Sequence, residues 1–150
     1  MSFLLDTHAW LWIAGEPDRM SPSVLARLEN PARALLVSVA SAWEIVIKHQ
    51  LGKLRLPEPP DRYMETRLER YQTSALPIEL HHVLQLSHLP LHHRDPFDRI
   101  LVAQAQVERA VLVTTDRNLA AYDVEILWAD ELPATDLHEP PGAYDAARPD

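Results

Sequence analysis

Four acidic residues occupy related places: Asp6 and Asp116 end short apolar runs, and Glu44 and Asp98 lie in the first turns of helix-forming segments. Each has an ordinary structural role available. Asp6 can cap whatever follows Thr7, and Glu44 can complete a capping box with Ser41. Asp98 lies in a first turn, where the helix dipole favours a negative charge, behind Asp95 as cap. Asp116 can cap a short helix through Leu119 to Tyr122. Together they point elsewhere. Carboxylates gathered at one place repel unless a cation sits among them, and hard oxygen donors of this kind suit Mg²⁺ or Mn²⁺. Such an ion bridges phosphate oxygens and lowers the pKa of a bound water, and helix N-termini alongside hold a phosphate. The chemistry implied is phosphodiester or phosphomonoester hydrolysis.

Convergence of residues this far apart in sequence depends on the elements that carry them. Apolar runs occur at Phe3–Leu5, Ala34–Val39, Ala75–Ile78, Val111–Thr115 and Val124–Trp128. Runs of this length without alternation suit strands of a parallel sheet covered on both faces. Between them, Ser21-Pro22 opens a helix to about Glu29, and Ser41-Ala42-Trp43-Glu44 opens one that Gly52 stops. Asp61–Tyr71 reads as an exposed amphipathic helix, while the helix from Asp95-Pro96 has so little polar face that it should be buried. Pro57, Pro59 and Pro60 mark a loop, as does Leu89–Arg94. This alternation predicts an α/β fold, a three-layer α/β/α sandwich with a mostly parallel sheet of about five strands. In such a sheet ligands bind outside the carboxyl ends of the strands, the edge at which all four acids would lie. Residues 1–132 form the expected domain, and residues 133–150 a Pro-rich acidic C-terminal tail.

Composition narrows the alternatives. The chain of 150 residues suits one domain, with 47% hydrophobic and 24% charged residues. Absence of cysteine excludes a disulfide framework, a Cys-based zinc site and a thiol nucleophile. Three scattered glycines exclude a Walker loop and a dinucleotide fingerprint. A net charge of −8 argues at first against a nucleic-acid binder. Residues 1–115, however, carry 13 acids and 12 bases, so most of the excess lies beyond them. No signal peptide or spanning segment is visible, and a cytoplasmic protein without membrane association is expected.

Four segments carry a family likeness: Leu4-Leu5-Asp6-Thr7-His8-Ala9-Trp10, Ser41-Ala42-Trp43-Glu44-Ile45-Val46-Ile47-Lys48 with Leu51-Gly52-Lys53-Leu54, His93-Arg94-Asp95-Pro96-Phe97-Asp98-Arg99-Ile100, and Val113-Thr114-Thr115-Asp116. In this order they resemble a PIN domain, and in particular the VapC-like toxins of bacterial type II toxin–antitoxin pairs. The likeness covers roughly residues 3 to 130. It implies a Mg²⁺- or Mn²⁺-dependent endoribonuclease, neutralised by a small VapB-like antitoxin, with toxin homodimers assembled into toxin–antitoxin hetero-oligomers. The family's acidic quartet maps onto Asp6, Glu44, Asp98 and Asp116 as metal ligands, and its active-site hydroxyl onto Thr114. The resemblance further implies in-line attack leaving a 5′-phosphate and a 3′-hydroxyl. Many relatives carry another acid two residues after the last one. Here that residue is Asn118, which favours one tightly held metal over two.

Lys48, Arg94 and Arg99 are the candidate phosphate contacts, although Lys48 also has the spacing of an i,i+4 pair with Glu44. Lys53, Arg55, Arg62, Arg67 and Arg70 belong to a stretch that either guides an RNA backbone or forms a solvated face. His81-His82 and His92-His93 are expected as surface or loop histidines, because helical neighbours point about 100° apart and do not readily share one ion. His8 can approach a substrate or pack, and Trp10, Trp12 and Trp43 suit a core or a partner groove. Two other functions stay open: another Mg²⁺-dependent phosphohydrolase, and a catalytically inactive PIN scaffold. A haloacid-dehalogenase-type phosphatase is disfavoured, since Asp6-Thr7-His8 lacks the second Asp of that nucleophile motif.

Overall fold

The computed structural model describes residues 1–130. The expected tail, 133–150, and the last two residues of the expected domain lie outside them. Five short strands form one sheet in the order β3-β2-β1-β4-β5, and every pairing is parallel. They are β1 (Ser2–Leu5), β2 (Ala34–Ser38), β3 (Thr73–Leu76), β4 (Val111–Thr114) and β5 (Ile126–Trp128). The helices are α1 (Thr7–Gly15), α2 (Pro22–Glu29), α3 (Val39–Gln50), α4 (Pro60–Arg70), α5 (Leu80–Gln85) and α6 (Pro96–Glu108).

Alternation along each strand builds two cores. Phe3, Leu5, Val111 and Val113 face α1, α2 and α4, whereas Leu4 and Leu112 face α6. A fully buried Leu or Phe side chain contributes roughly 1.5–3 kcal/mol, so a strand apolar on both faces is held between two helical layers. The expected α/β/α sandwich is therefore present. Helix α6 is buried as its composition requires, with Ile100 to Ala105 all inside.

Several local boundaries differ from expectation. Helix α3 begins three residues earlier than the Ser41 box predicted. Its cap is Ser38, whose hydroxyl accepts from Ala40 N at 3.0 Å. Glu44 consequently lies in the second turn, and its carboxylate is free of any capping duty. Strand β3 is shifted two residues toward the N-terminus of the expected run, leaving Pro77 and Ile78 in the following loop. That shift is physically reasonable, since proline has no N–H for the ladder. Pro22, Pro60 and Pro96 each occupy the first helical position, where the missing N–H costs nothing.

The strand order reverses direction between β1 and β4. β1 leads through α1 and α2 to β2 on one side, while β4 and β5 extend the other. Ligand crevices of open α/β sheets form at such a switch point. Asp6 directly follows β1, and Asp116 lies two residues beyond β4.

Candidate active site

Asp6 and Thr114 form the floor of the site. Asp6 caps α1 through Oδ1, which accepts from Ala9 N at 2.8 Å, and its Oδ2 accepts from the Thr114 hydroxyl at 2.5 Å. Both residues are buried. Burial raises the Asp6 pKa above the ordinary carboxylate range, against the lowering effect of Thr114, Ala9 and His8. The Thr114 hydroxyl also accepts from Asp116 N at 3.0 Å, which joins the ends of β1 and β4 through one oxygen.

Asp98 and Asp116 form one wall. Asp98 occupies the first turn of α6, whose cap is Asp95, accepting from Phe97 N at 2.9 Å. Its pKa is pushed up to about 7 by burial first, then by Asp95, Asp116 and Asp6, against the opposing effect of His93. Three other carboxylates thus act on Asp98 at this edge. Asp116 accepts from Asn118 N at 3.0 Å through Oδ1 and opens a short 3₁₀ turn over Arg117–Ala121. Asn118 therefore contributes its backbone, while its side chain is exposed.

Glu44 comes from α3 and completes the quartet. Its Oε1 accepts from the Thr7 hydroxyl at 2.6 Å, and Lys48 Nζ lies 2.9 Å from Oε2. Lys48 is thus an i,i+4 partner of Glu44 that also stands at the edge of the site. The other two candidate phosphate contacts lie apart from the acids' hydrogen bonds. Arg94 is exposed in the loop before α6, and Arg99 donates to Leu89 O at 3.3 Å.

Two residues enter the site that sequence reasoning did not place there. Thr7 orients Glu44, and only the adjacency of α1 and α3 brings it into reach. His93 lies in the loop before α6, as expected, but its ring turns into the site. Its Nε2 lies 3.0 Å from Asp116 Oδ2 and 3.3 Å from Asp98 Oδ2, and its backbone N donates to the Tyr122 hydroxyl at 2.9 Å. The one signal in the sequence is that His93 directly precedes the Arg94-Asp95-Pro96-Phe97-Asp98 segment. His8 is exposed beside Asp6. Trp10 is fully buried, Trp12 is partly buried and Trp43 is exposed with its ring edge on Phe97.

The donor set fits a small divalent cation. Ligand oxygens of Asp98 and Asp116 lie within 4.8 Å of one another, and with Asp6 and Glu44 they supply hard oxygens of the kind such an ion takes. A second cluster, His81, His82 and Glu108, has the composition of a metal site but not its chemistry. His82 Nδ1 accepts from Glu79 N at 3.0 Å, so its proton is on Nε2, which donates to Glu108 at 2.8 Å. That histidine ties α5 to α6.

Alongside the acids runs a groove of about 590 Å³ lined by Thr7, Trp12, Lys48, Lys53, Arg55 and Arg67, among others. Arg19 also lines it, with its guanidinium 5.5 Å from the centre of the Trp12 ring. Among the described residues no helix is long and apolar enough to cross a membrane.

Comparison with known proteins is consistent with this geometry. The sequence profile of the PIN domain matches residues 3–125. Ribonuclease VapC16 of Mycobacterium tuberculosis is 42% identical over 57 residues, which span 38% of this chain and 40% of that protein. Among solved structures, the chain is similar to VapBC2 from Rickettsia felis, bound to a DNA fragment from its promoter, with a TM-score of 0.65 and 14% identity, covering 85% of this chain and 98% of that one. DNA-bound VapBC from Salmonella typhimurium gives a TM-score of 0.62 at 14% identity, covering 85% and 97%. At such identity the likeness is one of fold.

Proposed function

The chain belongs to the PIN domain family, and from that premise we propose that it is a Mg²⁺- or Mn²⁺-dependent endoribonuclease, the toxin of a toxin–antitoxin pair. The observation that carries this reading is the meeting of Asp6, Asp98 and Asp116 at the switch point of the sheet, with Glu44 reaching them from α3. Asp6, Asp98 and Asp116 would hold the metal, and Glu44 would be a further ligand or the base that orients the attacking water. When bound, a divalent cation neutralises phosphate charge and makes water nucleophilic near neutral pH.

The chain's own residues do the positioning. Thr7 and Lys48 engage both oxygens of Glu44, and Thr114 and Ala9 engage both oxygens of Asp6. Each oxygen keeps a lone pair for the cation, and its orientation is set before binding. The basic groove supplies a path for a phosphate backbone. The toxin role, the VapB-like antitoxin, the homodimer and the cytoplasmic location rest on the family likeness and on similarity to Ribonuclease VapC16 and the VapBC chains.

The test is cleavage of RNA by the purified chain with Mg²⁺ or Mn²⁺ added. Chelation should abolish cleavage, and Asp6→Asn and Asp98→Asn should lower it by roughly 10²-fold or more, since metal assistance supplies several kcal/mol. Cleavage that survives chelation overturns the metal role. A wild-type chain that binds the cation yet cuts no RNA would be a scaffold.

A further inference from the structure

Among the described residues, His93 is the one whose side chain meets two carboxylates of the quartet at once. The distances from its Nε2, 3.0 and 3.3 Å, are close to the spacing of neighbouring donors on a single octahedral ion, about 3 Å for ligands at ~2.1 Å. Distance alone would therefore admit His93 as a metal ligand. The other ring nitrogen decides otherwise. His93 Nδ1 accepts from Asp95 N at 3.0 Å, so it carries a lone pair, and the ring proton must be on Nε2. A nitrogen that bears a proton cannot coordinate. It can only donate, and it does so to Asp116 Oδ2, with Asp98 Oδ2 beside it at 3.3 Å. Metal-bound histidines show the opposite arrangement, with the outer ring nitrogen donating and the inner one bare.

The ring is also anchored. Asp95 N holds Nδ1, the Tyr122 hydroxyl accepts from the His93 backbone N, and the side chain is only 17% exposed. Asp95 is at the same time the cap of α6, the helix that carries Asp98. The loop, the helix start and the ring are therefore one assembly, with its donor aimed at carboxylates from two different elements.

We propose that His93 is a positioning residue of the metal site: its Nε2–H braces Asp98 against Asp116, and it does not ligate the metal. The inference rests on the metal-dependent function proposed above. The N–H donates to Asp116 and stands 3.3 Å from Asp98, so it keeps the two acids at the separation one cation needs and offsets the repulsion that would otherwise part them. Loss of such an orienting partner ordinarily lowers metal affinity by about 10–100-fold.

Mn²⁺ binding to the full chain, followed by loss of the free-ion electron paramagnetic resonance signal, provides the test, with pulsed detection of ¹⁴N coupling on the bound ion. Wild-type protein should bind Mn²⁺ with no coordinated imidazole attributable to His93. His93→Ala should weaken binding by about 10–100-fold. His93→Gln, whose amide N–H₂ can reach the place of Nε2, should restore most of the affinity, and His93→Asn should not. A ¹⁴N coupling that disappears in His93→Ala would make His93 a ligand and overturn the proposal. So would unchanged or tighter binding in a His93→Ala protein whose circular dichroism matches wild type. Failure of the broader reading looks different: the wild type would then bind no Mn²⁺ at all, or bind it equally well as Asp98→Asn.

Discussion

At the scale of single residues, the site is a set of carboxylates each held by its own donors, and Asp98 is the least compensated of them. Among the described residues only His93 reaches it, while Asp95, Asp116 and Asp6 all disfavour its charge. A pKa raised to about 7 has a definite consequence for stability. Between the unfolded value near 4 and the folded value, the native chain holds a proton that the unfolded chain releases. Stability therefore falls as pH rises through that window, by on the order of 2–4 kcal/mol. Chelator-treated Asp98→Asn should melt above wild type at pH 8, and the gap should close toward pH 4. A gap independent of pH would mean that Asp98 does not titrate as described. The sign reverses for the metal, whose binding needs the ionised form, so Mn²⁺ affinity should rise between pH 6 and 8. The four acids were legible in the sequence because their type and placement carry the signal, and Thr114 was implied by the family likeness. His93 and Thr7 were not, since a histidine in a loop and a threonine after an aspartate have many ordinary uses.

Among the elements, α3 shows how a helix start decides what a carboxylate is free to do. A helix capped at Ser41 would use Glu44 to close its first turn, whereas the observed start at Val39 leaves Glu44 to Thr7 and Lys48. The two caps are separable by mutation. Ser38→Ala removes the bond to Ala40 N and should cost about 1 kcal/mol. Ser41→Ala removes a buried hydroxyl that has no hydrogen-bond partner and should be neutral or slightly stabilising. Chemical denaturation of both variants checks this, and a larger loss for Ser41→Ala would restore the Ser41 cap. The motifs Ser38-x-x and Ser41-x-x-Glu44 are adjacent, and local sequence ranks the second higher because it offers a reciprocal bond. Packing selects the first: it buries Ala40 and Ile45 in the two cores.

Across the whole molecule, charge is sorted by position. The total is −8, yet the groove beside the acids is lined by Lys53 and Arg55, and by Arg19, Lys48 and Arg67 in ion pairs with Glu16, Glu44 and Glu58. If this groove carries the phosphate backbone, kcat/KM on RNA should fall with rising salt. Lys53→Ala with Arg55→Ala should flatten the logarithmic slope by about 0.7 for each phosphate no longer neutralised. A salt slope unchanged in the double variant would place the strand elsewhere. The basic stretch was visible along the chain, but a row of charges does not say whether it faces water or a groove. By itself the sequence determined the layered parallel sheet, the burial of α6 and the sheet edge at which the four acids lie, because each follows from local patterning of apolar runs and caps. Only the tertiary structure decided where α3 starts, which nitrogen of His93 carries the proton and which acid accepts it. Those depend on groups that meet across elements, as His93 meets Asp116 and Thr114 meets Asp6, and pairings between distant residues leave no periodic trace in the chain that makes them.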